Sequence, residues 1–98
     1  MKWNIAVLIT ANNDLLEICD NLSVFDENLP NLFNESFYKF IDNVSNMPYM
    51  YPQYARNPKY RKAALAYNYL AFYQIDKKNN IIKIYRILHG RRNINDLI

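Results

Sequence analysis

Five residues in the second half of this 98-residue chain have the chemistry to act on a phosphate: Arg61, Arg86, His89, Arg91 and Arg92. Guanidinium groups bind phosphate oxygens through a planar fork of donors. Histidine titrates near neutrality and can give or take a proton. His89 is the only histidine and Gly90 the only glycine, and both lie in YRILHGRRN, Tyr85 to Asn93. If Arg61 and Arg86 project from the same face, they form a forked phosphate clamp, with His89 beside it as the acid. Such a set suits RNA cleavage by the 2′-hydroxyl, where growing charge is neutralised and a leaving oxygen protonated. Arg56 and Lys59 precede Arg61 and add phosphate-binding charge, as do Arg91 and Arg92 at the far end. Each residue also has an ordinary role: a strand arginine is commonly solvated or ion-paired, and a histidine at a strand end commonly caps.

The elements that position these residues follow from periodicity. KWNIAVLI is apolar and rich in β-formers, a buried strand. In TANNDLLEICDNL, residues Leu15, Ile18, Cys19 and Leu22 make one helical stripe. Thr10, Asn12, Asn13 or Asp14 caps it, and Asp14 with Glu17 suits a capping box. SVFDEN breaks the pattern. A second helix begins at Pro30, carries Leu29, Phe33, Phe37, Phe40, Ile41 and Val44 on one stripe, and ends at Pro48. MPYMYPQYARNPK is a proline-broken loop. From Tyr60 the period becomes two. YRKAALA is one strand, and NYLAFYQI the next, with Tyr67, Tyr69, Ala71, Tyr73 and Ile75 on one face. DKKNN is a turn. IIKIYRILH returns as a central strand, with Ile82, Ile84, Arg86 and Leu88 on one face and Ile81, Lys83, Tyr85, Ile87 and His89 on the other. NINDLI is a short helix or an added strand.

The order β-α-α-β-β-β gives an α+β fold: a helical hairpin packed on one face of a mostly antiparallel sheet. The whole chain, 1–98, reads as one domain. The opposite face of the sheet is expected to be open, and YRKAALA offers a free edge.

Composition narrows the function classes. Residues 1–42 hold seven acids against Lys2 and Lys39, a net of −5; residues 43–98 hold ten bases against Asp76 and Asp96, a net of +8. That asymmetry suits a basic face turned to phosphates or to an acidic partner. The single cysteine, Cys19, cannot form an internal disulfide, and no apolar run is long enough for a membrane span, so a cytoplasmic location without membrane partners is expected. No cofactor is expected, since no phosphate-cradling glycine loop exists. Metal binding has little support from one His and one distant Cys. Tyr49, Tyr51 and Tyr54 in the loop are the better candidates for stacking on bases.

The sequence also resembles the RelE/ParE family of toxins from bacterial type II toxin–antitoxin modules. KWNIAVLITANNDLLEI is similar to the family's opening strand and helix. Met47-Pro48 is similar to its second helix end, and Tyr60-Arg61 to a recurrent Y-R at a strand start. NYLAFYQID resembles the strand Y-L-I-F-Y-x-V-D, and IKIYRILHGRRN the closing I-x-I-x-R-I-x-H-G-R-R-D, with Asn93 in place of the aspartate. The resemblance implies the same sandwich and a growth-arresting role held in check by a cognate antitoxin. It implies one of two targets. The RelE-like branch cuts messenger RNA on the ribosome, with Arg61, Arg86 and His89 in catalytic positions. The ParE-like branch inhibits DNA gyrase without nuclease activity, and the closing motif recurs there too. Ribosome-dependent cleavage ranks first by a small margin, gyrase inhibition second, and a non-toxic basic binding relative third.

Overall fold

The computed structural model describes residues 2–98. Eight elements follow in order: β1 (Asn4–Val7), α1 (Ile9–Phe25), α2 (Leu29–Asn46), β2 (Arg61–Ala64), a 3₁₀ turn (Ala66–Asn68), β3 (Tyr69–Asp76), β4 (Ile81–His89) and α3 (Ile94–Leu97). The sheet order is β1-β4-β3-β2, parallel between β1 and β4 and antiparallel elsewhere. The expected α+β arrangement is therefore the observed one, with β4 central and β2 at an edge. NINDLI resolves as a helical turn and not a strand.

Why the helices form where they do is visible in their buried stripes. α2 turns Phe33, Phe37, Phe40 and Val44 inward at helical spacing, with a proline in its first turn. α1 buries Ala11, Asp14, Ile18 and Leu22. Both stripes press on Ala63, Ala71, Tyr73, Ile82, Ile84 and Ile87 of the sheet. Tyr73 is fully buried, and its hydroxyl donates to Pro48 O at 2.6 Å. Its ring packs edge-on against Phe40 and Tyr51. Such aromatic pairs contribute about 0.5–1.5 kcal/mol each beyond area burial. This corrects one expectation: Tyr51 is a core-packing ring and not a free stacking surface.

Three further expectations change. α1 starts at Ile9, earlier than the capping residues imply, and no side chain caps it. Asp14 lies inside the helix, so it is no cap. The helix also runs through Ser23-Val24-Phe25, past the break expected at SVFDEN.

The second change concerns β4. Tyr73 pairs with Ile84, but Phe72 pairs with Arg86, so Tyr85 is an extra residue in a bulge. Beyond the bulge the alternation inverts. Ile82, Ile84 and Ile87 all face the helices, where simple alternation puts Ile87 on the other side.

The third concerns the face away from the helices. Phe72 and Leu88 there are buried. The loop between α2 and β2 covers the middle of this face: Tyr54 sits edge-on to Phe72, and Tyr60 stacks on Tyr85 with centroids 4.8 Å apart. The expected open surface is reduced to a basic rim.

Candidate functional site

The parallel partner β1 ends at Val7, opposite Ile84. Past that point the outer edge of β4 has no strand beside it, and its polar groups need other partners. Side chains of α1 supply them. Thr10 Oγ1 donates to Tyr85 O at 2.7 Å, and Ile87 N–H donates to Asp14 Oδ2 at 2.9 Å. Arg86 completes the arrangement with Nε on Asp14 Oδ2 at 2.8 Å and a terminal nitrogen on Oδ1 at 3.0 Å. This is a two-pronged pair between side chains that are only 10% exposed for Asp14 and 19% for Arg86. Hydrogen bonding to Asp14 holds the Arg86 guanidinium above its ordinary pKa. Arg86 is thus charged and paired with Asp14.

Arg61 is held elsewhere. Its guanidinium donates to Tyr51 O at 2.6 Å and lies 5.0 Å from the centre of the Tyr49 ring. It pins the proline-broken loop against the start of β2. The structure therefore attaches Arg61 to that loop and Arg86 to α1, and the two do not converge as a fork.

His89 and Arg92 do share a site. They line a cleft of about 190 Å³ with Asp14, Glu17, Asn21 and Tyr69. The His89 ring meets Tyr69 edge-on at 5.0 Å, and its Nδ1 accepts from Arg91 N–H at 3.2 Å. Burial, and then the nearby Glu17 charge, push the Tyr69 phenol up. Arg92 N–H closes the turn on His89 O at 3.0 Å, leaving both the Arg91 and Arg92 side chains exposed. Gly90 has a specific reason to be glycine. Its N–H donates to Asn68 O at 2.7 Å, and a Cβ there would stand 3.3 Å from the same oxygen. Close approach, and not a left-handed φ, is what this position requires.

Arg56 and Lys59 form a third group. Arg56 lines a shallow cleft with Tyr54, Asn57, Asn95 and Ile98. Lys59 Nζ stands 5.2 Å over the Tyr60 ring, and Lys62 Nζ 5.7 Å over Tyr54. Among the described residues no cluster of three or more His, Cys, Asp or Glu gathers to hold a metal, and no helix is long and apolar enough to cross a membrane.

Asp14 and Thr10 are the site residues missed from sequence. The signal for Asp14 was present: Ala11, Asp14, Ile18 and Leu22 recur at spacings of one helical stripe, and an acid on a buried stripe demands a buried partner.

The model of the family described as ParE toxin of the type II toxin–antitoxin system, parDE, matches residues 8–94. The chain belongs to this toxin family. Solved structures agree on the fold. The chromosomal ParDE toxin–antitoxin system of P. aeruginosa superposes with a TM-score of 0.73 at 16% identity, over 90% of this chain and 96% of that one. An arginine-to-alanine mutant of E. coli toxin RelE in the free state gives 0.72 at 13% identity, over 99% and 93%. The RelBE2 toxin–antitoxin complex of Mycobacterium tuberculosis gives 0.59 at 19% identity, over 91% and 99%. No curated protein shows significant sequence similarity to the chain. The protein is accordingly the toxin component of a type II toxin–antitoxin system, with the RelE/ParE sandwich.

Proposed function

We propose that this toxin arrests growth by binding DNA gyrase, and that it does not cut messenger RNA. One observation carries the proposal: Arg86, the arginine best placed in sequence for a phosphate clamp, is spent on Asp14 and the end of β4. A nuclease of the kind outlined from sequence needs free arginines around the scissile phosphate. Here Arg61 is bound to loop carbonyls and Arg86 to a carboxylate. Of the two carboxylates lining the cleft beside His89, Asp14 already accepts three hydrogen bonds, which leaves Glu17 as the candidate a nuclease would have to use. The family model matched, that of ParE toxins, supports the same side. A toxin that works by binding needs a rigid basic rim and no acid–base pair.

A cognate antitoxin is the second partner. The +8 half of the chain suits an acidic segment that folds on binding and covers the exposed Arg91 and Arg92. Both partners place the toxin's work in the cytoplasm.

Ribosome-dependent cleavage is the second reading, and His89 favours it. His89 and Arg92 line one cleft, with Arg91 next in the chain, so a proton donor and two cations remain together. The discriminating experiment is DNA supercoiling by purified gyrase in the presence of the toxin. Inhibition that is lost on adding back the antitoxin supports the proposal. Full gyrase activity at toxin concentrations that stop growth overturns it.

A further inference from the structure

The turn joining β2 to β3 holds a residue that neither packing nor the ladder explains. Tyr69 N–H donates to Ala66 O, and Leu65 N–H to Tyr69 O at 2.8 Å. Both central residues are left-handed: Tyr67 at φ 60°, ψ 36°, and Asn68 at φ 65°. This is a type I′ turn, whose backbone twist matches a hairpin and whose central pair is best filled by Asn-Gly. Asparagine at 68 tolerates the conformation. A bulky tyrosine at 67 does not, because its Cβ crowds the backbone at positive φ.

Burial compensates Tyr67 only in part. The residue is 41% exposed, and it joins neither the core cluster nor the side chains packed against it. Backbone strain at an exposed aromatic points to a task outside the fold.

The neighbours say what kind of task. Asn68 O receives the Gly90 N–H, and Tyr69 pairs with His89, so this turn is clamped beside the His89–Arg92 turn. The lone glycine permits that approach. One exposed tyrosine and two exposed arginines thus stand on two turns fixed to each other. Tyrosine and arginine are the residues that most often dominate protein–protein interfaces. A nucleic-acid platform needs several free aromatic faces in succession. On this chain Tyr54 and Tyr60 are already packed, on Phe72 and Tyr85.

We infer that Tyr67, with Arg91 and Arg92, forms the rim that docks the toxin onto an acidic surface of its protein target. This rests on the binding reading above and names the residue that would recognise the target.

The test compares wild type with Tyr67→Asn and Tyr67→Phe. Thermal unfolding, growth arrest on induced expression, gyrase supercoiling and affinity for a short fluorescent single-stranded oligonucleotide are measured for each. Tyr67→Asn is expected to unfold at the same or a higher temperature and to inhibit on the order of thirtyfold more weakly, the loss of one interface hot spot. Tyr67→Phe keeps the ring and should stay within a few-fold of wild type. Full inhibition by Tyr67→Asn overturns the inference, and so does a lowered unfolding temperature, which would make Tyr67 structural. An equal loss of oligonucleotide affinity also overturns it, by making the partner a nucleic acid. Failure of wild type to inhibit gyrase defeats the gyrase proposal alone, since growth arrest still ranks the variants.

Discussion

Replacing Asp14 by alanine should remove a large share of the toxin's stability. Three hydrogen bonds end on this carboxylate: two from the Arg86 guanidinium and one from Ile87 N–H. Truncation leaves a guanidinium that is 19% exposed without its counter-charge. Breaking a buried pair in this way costs about 3–5 kcal/mol. The orphaned, buried Ile87 N–H would alone cost about 1–3 kcal/mol, although the two losses overlap. Water reaching the partly exposed arginine lowers the sum, so a loss of about 3–4 kcal/mol is expected. A domain of this size has only about 5–15 kcal/mol to lose. Asp14→Asn retains an acceptor for Ile87 N–H and should lose about half as much, roughly 1–2 kcal/mol. Urea unfolding followed by tyrosine fluorescence and far-ultraviolet circular dichroism gives both values from midpoint and slope. A loss below about 0.5 kcal/mol for Asp14→Ala would refute the reasoning, because that is the range of an exposed surface pair.

Two other outcomes can be checked on the same instruments. Burial raises the Tyr73 hydroxyl to about 12 from an ordinary value near 10. Between these values the folded chain keeps a proton that the unfolded chain has released. The stabilisation is therefore complete below pH 10 and is lost as the pH rises towards 12, by on the order of 2–3 kcal/mol. Alkaline unfolding should flatten in Tyr73→Phe, and an unchanged slope would count against the buried hydroxyl. Phe37→Ala should cost about 3–5 kcal/mol, because Phe37 is 6% exposed on the inner stripe of α2; near-normal stability would contradict its packing.

Much of the fold was legible because the hydrophobic period changes once, from helical before Pro48 to alternating after Tyr60. Stripes such as Phe33, Phe37, Phe40 and Val44 survive small errors in helix ends. The site was less legible. Alternation assigns Arg86 and Ile87 to faces only if the strand is regular, and the bulge at Tyr85 inverts that assignment. Nothing in IIKIYRILH marks the bulge, beside which Thr10 and Asp14 of α1 hydrogen-bond the backbone of Tyr85 and Ile87. Asp14 looked like a cap because acids favour helix starts, whereas the helix began five residues earlier, at Ile9. The turn between YRKAALA and NYLAFYQI was hidden too: alternation put Tyr67 on a strand face, whereas Tyr67 and Asn68 form the turn in the left-handed conformation that glycine would normally supply.

The most direct test is whether Arg86 touches the target at all. In Asp14→Asn/Arg86→Gln the pair becomes two neutral amides that still hydrogen-bond each other and Ile87 N–H, while the cation is gone. Growth arrest on induced expression should be measured for this variant once its cooperative unfolding has been verified. Toxicity close to wild type is expected if the Arg86–Asp14 pair serves only the fold. A folded variant without toxicity would contradict that role and return Arg86 to the phosphate clamp of a nuclease.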